Sequence, residues 1–459
     1  MSRLADAVAA VTIIIEKIKE GRQAMEERAK LTDWGIVLLL MGAMIFSLLD
    51  RLVLSVLLEP IKQDLGLSDG HLGLLTGVAF GLFYATMALP LGWLADRWTR
   101  KGTILAGMSL WGAATAASGF AGNYAQLFLA RVGVGAGEAA LSPASYSIIY
   151  DRFPRALLAR AMSLFQSGAM LGSGVALITA GAMYDFFRHG GGAALPFISH
   201  LRPWQQTFIG VATPGLVLIV AIAIFMPEPK KKFGESQLKR ASLLSSFREN
   251  TFVYITLFGG AIGNVAAFYS MLTWLPSIIV REYGWEPSQI GWLYGSIVAV
   301  CSTTGLMTGG WLADYLQWRG VSHPYARIPL IAGLSSLPLM VLLGVSSTAF
   351  STLIVAGLLH LVLVMPFGVI PAYIQVIAAP NARGQLSALY VITTNFSALG
   401  VAPVFIGFLS DNLAGGEAAL RYSVVAVSIS FLVPCCFACW HLICHLNEKP
   451  SSVRPGPEA

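Results

Sequence analysis

The sequence predicts an all-α membrane protein with twelve transmembrane helices in two six-helix bundles. Of its 459 residues, 56% are hydrophobic and only 12% are charged, and the mean hydropathy is +0.68. A soluble domain has about 25% charged residues, so this chain lacks the charge to cover a water-exposed surface of its size. The two further observations are twelve apolar segments of span length and a repeat between the two halves of the chain.

The apolar segments set the number of spans. A helix needs roughly 20 residues to cross ~30 Å of hydrocarbon. In chain order, the twelve segments that approach this length are residues 36–58, 72–95, 103–120, 125–149, 161–184, 207–226, 252–279, 290–313, 328–345, 353–378, 386–409 and 422–446. An even number of spans places both chain ends on one side of the membrane.

A long polar segment separates the spans into two sets of six. It is PEPKKKFGESQLKRASLLSSFREN, residues 227–250, which we interpret as a cytoplasmic linker. The predicted bundles are therefore residues 33–226 and 251–447, followed by a tail of residues 448–459. In residues 1–32, apolar side chains recur at helical spacing opposite charged ones, which predicts an amphipathic helix on the cytoplasmic membrane surface. Packing of this helix against a cytosolic loop is the alternative.

Basic residues in the short loops indicate the orientation. One side has the larger share, at Arg97, Arg100, Lys101, Arg152, Arg155, Lys230, Lys231, Lys232, Lys239, Arg240, Arg248, Arg319, Arg327 and Arg383. Positively charged loops stay on the cytoplasmic side, so both termini are predicted to be cytoplasmic and the chain is predicted to lie in the cell (inner) membrane. This distribution also argues against nucleic acid as the partner of the basic residues.

The two halves repeat each other. GWLADRWTRKG after the second span matches GWLADYLQWRG after the eighth, with Asp96 and Asp314 in equivalent places. Two further pairs of similar segments follow in the same order and at similar offsets, LSPASYSII with GVIPAYIQVI and ARAMSL with ARGQLSAL. Parallel repeats of this kind build transporters whose substrate site lies between the halves near the bilayer midplane. The repeat therefore favours a transporter over a membrane-embedded enzyme, the alternative from another class.

Four charges lie inside predicted spans, Asp50 and Arg51 in the first and Arg131 and Glu138 in the fourth. A charge at mid-membrane depth costs at least ~2.5–3.5 kcal/mol, so such residues usually line ion or substrate paths or pair with each other. Asp50 and Arg131 lie at similar depths and can pair, whereas Glu138 lies two helical turns beyond Arg131 on the same face.

These charges suggest a coupling mechanism. An arginine keeps its proton at physiological pH, whereas the pKa of a carboxyl group rises on desolvation and falls beside a cation. Movement of an arginine would thus load or release a proton, so Asp50 and Glu138 are predicted proton-coupling sites. Arg51 and Arg131 are their predicted charge partners or substrate contacts. The alternative is a static charge network that fixes helix packing.

Other side chains are candidates of lesser weight. Tyr84, Phe268 and Tyr269 are candidate substrate contacts, although core or lipid contact is the ordinary role of such aromatics. His360 either titrates or packs in the tenth span. Four of the five cysteines lie in CCFACWHLICH, whose spacing permits a metal site, but thiols in a last span facing lipid or helices are the favoured interpretation. We therefore predict no metal and no cofactor.

The segment GWLADRWTRKG resembles the loop signature of the major facilitator superfamily, through Gly92, Leu94, Asp96, Arg97, Arg100 and Lys101. The resemblance implies a conformational latch between the halves, formed by Gly92, Asp96, Arg97, Arg100 and, in the second copy, Asp314. We place Asp96 near the positive N-terminal end of the eleventh span. Three further segments resemble the spinster-like branch: LLDRLVLSVLLEPIKQDLGLSDGHLGLL, RVGVGAGEAALSPASYSIIYDRFP and QSGAMLGSG.

The resemblance implies a proton-coupled secondary transporter, not an enzyme, that moves an amphiphilic lipid-like substrate by alternating access. A lysophospholipid or a sphingoid lipid is the implied substrate, the proton is the coupling ion, and Asp50, Arg51, Arg131 and Glu138 are the implied site. A proton-linked drug exporter or an organic-anion transporter of the same superfamily is the alternative. The expected partners are this substrate and the bilayer, and the expected unit is a monomer.

Overall fold

We analysed a computed structural model of the chain, which describes residues 31–87, 90–91, 98–193, 195–228, 250–377, 383–414 and 416–448. The predicted N-terminal amphipathic helix, most of the linker, and the predicted latch residues Gly92, Asp96 and Arg97 lie outside these ranges. The described residues are helical with short connections, which confirms the all-α prediction.

The helices of the first half are numbered α1 to α6. They are α1, Leu31–Leu65; α2, Asp69–Thr76 with a wider π-helical turn at Val78–Leu82 and a last part ending at Met87; α3, Arg100–Ser118; α4, Tyr124–Glu138 and Leu141–Arg152; α5, Arg155–Arg188; and α6, Pro203–Phe225. Each overlaps one predicted span. The break in α4 falls at Ala139 and Ala140, directly after the buried acid Glu138.

The helices of the second half are numbered α7 to α12. They are α7, Thr251–Tyr283; α8, Pro287–Trp318; α9, Pro324–Gly344; α10, Ala349–Val364 and Pro366–Ile377; α11, Arg383–Asn395, a π-helical turn at Phe396–Val401, and Ala402–Asn412; and α12, Ala419–Glu448. Among the described residues, ten helices are long and apolar enough to cross a membrane by themselves. The two other predicted spans are α3, which is less apolar, and the interrupted α4.

Both ends of the described chain lie on one side, which we call the terminal side. There the ring of Phe252, at the start of α7, lies 4.5 Å from that of His445 near the end of α12. On the same side, Arg152 at the end of α4 donates to Asp33 at the start of α1. We call the opposite side, where α1 ends at Leu65, the far side.

Exposed tryptophans mark the hydrocarbon thickness along α8. Trp292 is 59% exposed near the far side and Trp311 is 64% exposed near the terminal side. They are nineteen positions apart in the helix, which corresponds to roughly 28 Å at 1.5 Å per residue. That length matches the ~30 Å hydrocarbon core, and tryptophan is enriched at membrane interfaces.

The halves pack against each other along α2 with α11, α5 with α8, and α1 with α7. Glycines permit the closest approach. A Cβ added to Gly73 of α2 would lie 2.5 Å from the carbonyl oxygen of Pro403 in α11, and one added to Gly174 of α5 would lie 2.6 Å from the carbonyl oxygen of Gly295 in α8. Small residues are the usual means by which membrane helices reach such backbone contact.

Candidate functional site

The predicted intramembrane charges meet where α1, α2 and α4 come together. Arg51 of α1 donates from Nη2 to Oε2 of Glu138, 2.7 Å away at the end of the first part of α4. Ser47, one helical turn before Arg51, donates to the same oxygen at 2.8 Å. Glu138 is 2% exposed and the Arg51 side chain is 11% exposed, so protein shields most of the pair from solvent. The structure thus brings Arg51 together with Glu138.

An aromatic side chain of α2 lies between the two arginines. The guanidinium carbons of Arg51 and Arg131 are 4.6 Å and 5.4 Å from the centre of the Phe80 ring. Arg51 also lies 5.0 Å from the centre of the Tyr84 ring, which stacks on Phe80. Phe80 belongs to the π-helical turn of α2. Aromatic faces attract cations, so these rings stabilise guanidinium groups that have little water around them.

Asp50 has a different environment from its neighbour. Its side chain is fully buried, and its two carboxyl oxygens have no hydrogen-bond partner among the residues that the structure describes. The Trp111 and Thr115 side chains of α3 lie close enough to interact with this carboxyl, although none of these groups forms a hydrogen bond of normal geometry. Arg131 donates to the main-chain carbonyl oxygen of Asp50 at 3.0 Å, whereas we expected it to pair with the carboxylate. Both predicted proton-coupling acids therefore lie inside the first half and not against lipid.

The second half reaches this site through Tyr269 of α7, which interacts electrostatically with Arg51. Its neighbour Phe268 faces elsewhere. Phe268 is 1% exposed and packs edge-on against His360 and Phe367, with ring centres 5.1 Å and 5.3 Å apart. The structure thus places Tyr269 at the charge pair and Phe268 in the core of the second half.

His360 belongs to that same core. Its Nε2 is 2.7 Å from the hydroxyl oxygen of Tyr294, and both side chains are fully buried. This contact gives His360 a packing role, one of its two predicted alternatives.

Sequence reasoning did not single out Ser47, Phe80, Trp111 or Thr115. Ser47 had a usable signal, because it lies four residues before Arg51 and therefore on the same helix face. The other three had none, since their proximity depends on how α2 and α3 pack against α1.

Two residues of the predicted latch, Arg100 and Asp314, belong to the described part of the chain. Arg100 forms an ion pair with Asp151 at the end of α4, within the first half. Its main-chain N–H and that of Lys101 donate to the carboxylate of Glu228, both at 2.9 Å, so Glu228 caps the N-terminus of α3. Asp314 is exposed near the end of α8. A latch between the halves stays a prediction.

Two six-helix halves, with an intramembrane ion pair in the first half that Tyr269 of the second half reaches, are typical of a membrane carrier. Residues 39–403 match the sequence model of the Major Facilitator Superfamily, and the chain belongs to that family. It is thus a multi-pass membrane protein and a secondary transporter, with the family and fold of transporters and not of enzymes.

Curated relatives have diverse names. An MFS-type efflux pump of Mycolicibacterium smegmatis is 28% identical, covering 86% of this chain and 89% of its own length. A probable L-galactonate transporter of Escherichia coli is 26% identical, with 87% and 88% coverage. Protein spinster homolog 1 of Xenopus tropicalis is 24% identical, with 88% and 79% coverage.

The fold also matches a solved spinster-type structure. A bacterial homolog of the human lysosomal transporter Spinster, in an inward-facing and unoccupied conformation, aligns with a TM-score of 0.81 and 23% identity. The alignment covers 92% of this chain and all of the other. The resemblance to the spinster-like branch is therefore confirmed alongside membership of the superfamily.

Proposed function

We propose that this protein is a proton-coupled transporter of an amphiphilic, lipid-like substrate with an anionic head group, such as a lysophospholipid. The observation that carries the proposal is the buried Arg51–Glu138 ion pair, which lies beside the unpartnered carboxyl of Asp50 and is reached by Tyr269 from the other half. It joins a proton acceptor, an anion binder and a residue of the opposite half in one place. The lipid-like class rests on what the resemblance to the spinster-like branch implies.

The ion pair provides a means of exchange between proton and substrate. While Glu138 is ionised, it occupies Arg51. A proton on Glu138 removes the counter-charge and leaves the guanidinium fork available to a phosphate or carboxylate, which it binds in bidentate geometry. Phe80 and Tyr84 then offer apolar ring surface next to that head group. Because Arg51 is a cation, this geometry favours a lysophospholipid over the amine of a sphingoid lipid.

A second candidate substrate is a small organic anion of the sugar-acid type. The observation that favours it is the same Arg51 guanidinium, which can bind any carboxylate once Glu138 is protonated, together with relatives named as L-galactonate and galactarate/D-glucarate transporters. Export of a drug-like compound is the third candidate within the superfamily, and the mycobacterial relative is named as an efflux pump. Transport of each of these three candidate substrates would use the same coupling site. The candidates differ from one another in their apolar part.

We further propose that the terminal side faces the cytoplasm of a cell whose inner membrane holds the protein. The excess of basic residues in the loops of this side supports the orientation. The proposed mechanism uses a proton as the coupling ion, requires no cofactor, and places the complete site within one chain.

Transport in proteoliposomes tests the proposal. Uptake of a radiolabelled lysophospholipid and of labelled galactonate is measured with and without an imposed proton gradient. We expect the proton gradient to drive uptake of the lipid. If each acid carries a transported proton, the rate of this uptake should fall at least ~10-fold in Glu138→Gln and in Asp50→Asn. Glu282→Gln is the matched control, because the Glu282 side chain is 8% exposed and pairs with Arg421 away from the site.

Each outcome has a distinct meaning. Gradient-driven uptake of galactonate without movement of the lipid would replace the first substrate by the second. Full uptake by both Glu138→Gln and Asp50→Asn would end the coupling proposal and leave the four charges as a packing network.

A further inference from the structure

A second group of polar residues, most of them charged, joins the halves at the far side. It consists of Glu59 and Lys62 at the end of α1, Asp69 at the start of α2, Arg281 at the end of α7 and Ser410 near the end of α11, and we call it the far-side cluster. Three of its members come from the first half and two from the second. No part of the transport site described above belongs to it.

Arg281 forms the centre of the far-side cluster. Its Nη1 and Nη2 donate to the two carboxyl oxygens of Asp69 at 2.7 Å and 2.6 Å, and its Nε donates to Glu59 at 2.6 Å. A bidentate arginine–carboxylate pair of this kind is among the stronger and geometrically more specific ion pairs. The arginine thus holds two acids of the opposite half with one guanidinium group.

Asp69 has further partners in both halves. Lys62 donates to one of its oxygens at 2.7 Å, and the hydroxyl of Ser410 donates to the other at 2.6 Å. Its side chain is only 4% exposed, so water has little access to these contacts. Hydrogen bonds to a charged, poorly hydrated group are worth more than those at an open surface.

The end of α11 also holds the start of α2 through the main chain. The carboxylate of Asp411 accepts from the N–H groups of Asp69 and Gly70, at 2.8 Å and 2.7 Å. These N–H groups belong to the first turn of α2, where no partner within the helix exists and a negative charge is favourable. Asp411 therefore caps a helix of the opposite half.

If the halves separate at the far side, some residues of the far-side cluster lose their ion-pair partners and others keep them. Lys62 and Asp69 belong to the same half and stay together. Arg281 loses its contacts with both Glu59 and Asp69, and these are its ion-pair partners within the described part of the chain. Removal of one member of a poorly hydrated ion pair is strongly unfavourable. Arg281 is therefore the residue on which closure of this side depends most.

We propose that Arg281, with Glu59 and Asp69, forms a charge gate that keeps the far side closed and must separate before that side opens. Asp411 and Ser410 strengthen the closed state from α11. The gate is independent of the substrate and of Asp50 and Glu138, so its test does not rely on the proposed function.

Distances between the halves test the gate. Spin labels are introduced as non-natural amino acids at Ala125, at the start of α4, and Ala414, after α11, so that the five native cysteines remain. Both alanines are exposed on the far side. Pulsed dipolar spectroscopy of the purified full chain then gives the populations of closed and open far sides. In Arg281→Gln, we expect the ratio of open to closed molecules to rise about tenfold or more.

Two further variants separate gating from general damage. Arg281→Lys keeps the charge but loses the bidentate fork, so we expect a smaller increase in the open population. Glu282→Gln breaks an ion pair with Arg421 that lies within the second half on the same side, so we expect no change in distance. An Arg281→Gln protein that stays closed would overturn the proposal, as would an equal opening in Glu282→Gln.

Discussion

Arg51 and Asp50 are neighbours in sequence, but their side chains lie in different surroundings. Arg51 points toward Glu138, Ser47 and the Phe80 ring, and its charge is balanced there. The Asp50 carboxyl points toward α3, and among the described residues neither of its oxygens has a hydrogen-bond partner. Adjacent residues on a helix face directions about 100° apart, which explains how two neighbouring charges reach separate environments. The two acids of the site should therefore differ in what they contribute to stability.

Neutralisation of the two acids tests this difference. Glu138→Gln leaves the Arg51 guanidinium without its counter-charge, and we expect a loss of ~3 kcal/mol in the free energy of unfolding. Asp50→Asn breaks no hydrogen bond of normal geometry, keeps the main-chain contact with Arg131 and alters only the weaker interactions with Trp111, Thr115 and the Arg131 charge, so we expect a change within ~1 kcal/mol. Thermal unfolding of the purified protein in detergent, followed by tryptophan fluorescence, gives the order of the melting temperatures. An equal drop in both variants would contradict the assigned contacts.

At the scale of elements, the contact between α2 and α11 depends on glycine. Gly73, Gly77 and Gly81 follow one face of α2, and a Cβ added to any of them would lie within 2.7 Å of α11 backbone atoms. Backbone atoms have little freedom to yield, unlike the end of a side chain. Both helices also have a π-helical turn beside this contact. Close approach and altered helical winding together position Phe80 between the two arginines.

Gly73→Ala is the sharpest test of this contact. Its Cβ would lie 2.5 Å from the Pro403 carbonyl oxygen, so α2 and α11 must move apart. We expect a loss of ~1–3 kcal/mol in the free energy of unfolding or a more open far side. Gly112→Ala is the matched control in α3, where the added Cβ meets nothing within 4 Å. A melting temperature and a far-side distance that are unchanged in Gly73→Ala would refute the role of the glycine contact.

At the scale of the whole molecule, the polar contacts that we have described between the two halves lie in two places. One is the site of the Arg51–Glu138 pair and the other is the far side. Beyond the far-side cluster, Ser288 of α8 donates to Asp185 of α5 at 3.3 Å, and Arg188 pairs with Glu286. Because these contacts join the two halves, the carrier is closed on the far side. Transport by alternating access requires that they separate in each cycle.

A cross-link on the far side should stop the cycle. Cysteines at positions 185 and 288 replace side chains whose oxygens lie 3.3 Å apart, so oxidation should join α5 to α8. We expect loss of proteoliposome uptake on oxidation of the Asp185→Cys, Ser288→Cys double variant and recovery after reduction. The two single variants, oxidised in parallel, control for the native cysteines. Continued uptake by the cross-linked protein would exclude separation of α5 and α8 from the cycle.

Much of the architecture was predictable because the membrane imposes local rules. A span must be about 20 apolar residues long, so hydropathy alone located all twelve helices, including α3 and α4, which are the least apolar or interrupted. The cost of buried charge likewise identified Asp50, Arg51, Arg131 and Glu138 as a group. Asp50 and Arg131 lie close enough to interact electrostatically, but the hydrogen bond from Arg131 goes to the main-chain oxygen of Asp50, because equal depth does not define the direction in which each side chain points.

The sequence by itself thus determined that this chain is a two-part helical membrane protein with buried charges in its first half, since composition and periodicity act along single helices. Only the tertiary structure decided which charges meet. It paired Arg51 with Glu138, placed Tyr269 rather than Phe268 at that pair, and joined Glu59 and Asp69 to Arg281 across the halves. These choices depend on helix rotation, on the break in α4 and on glycine contacts between distant helices. Such features arise from packing between segments far apart in the chain.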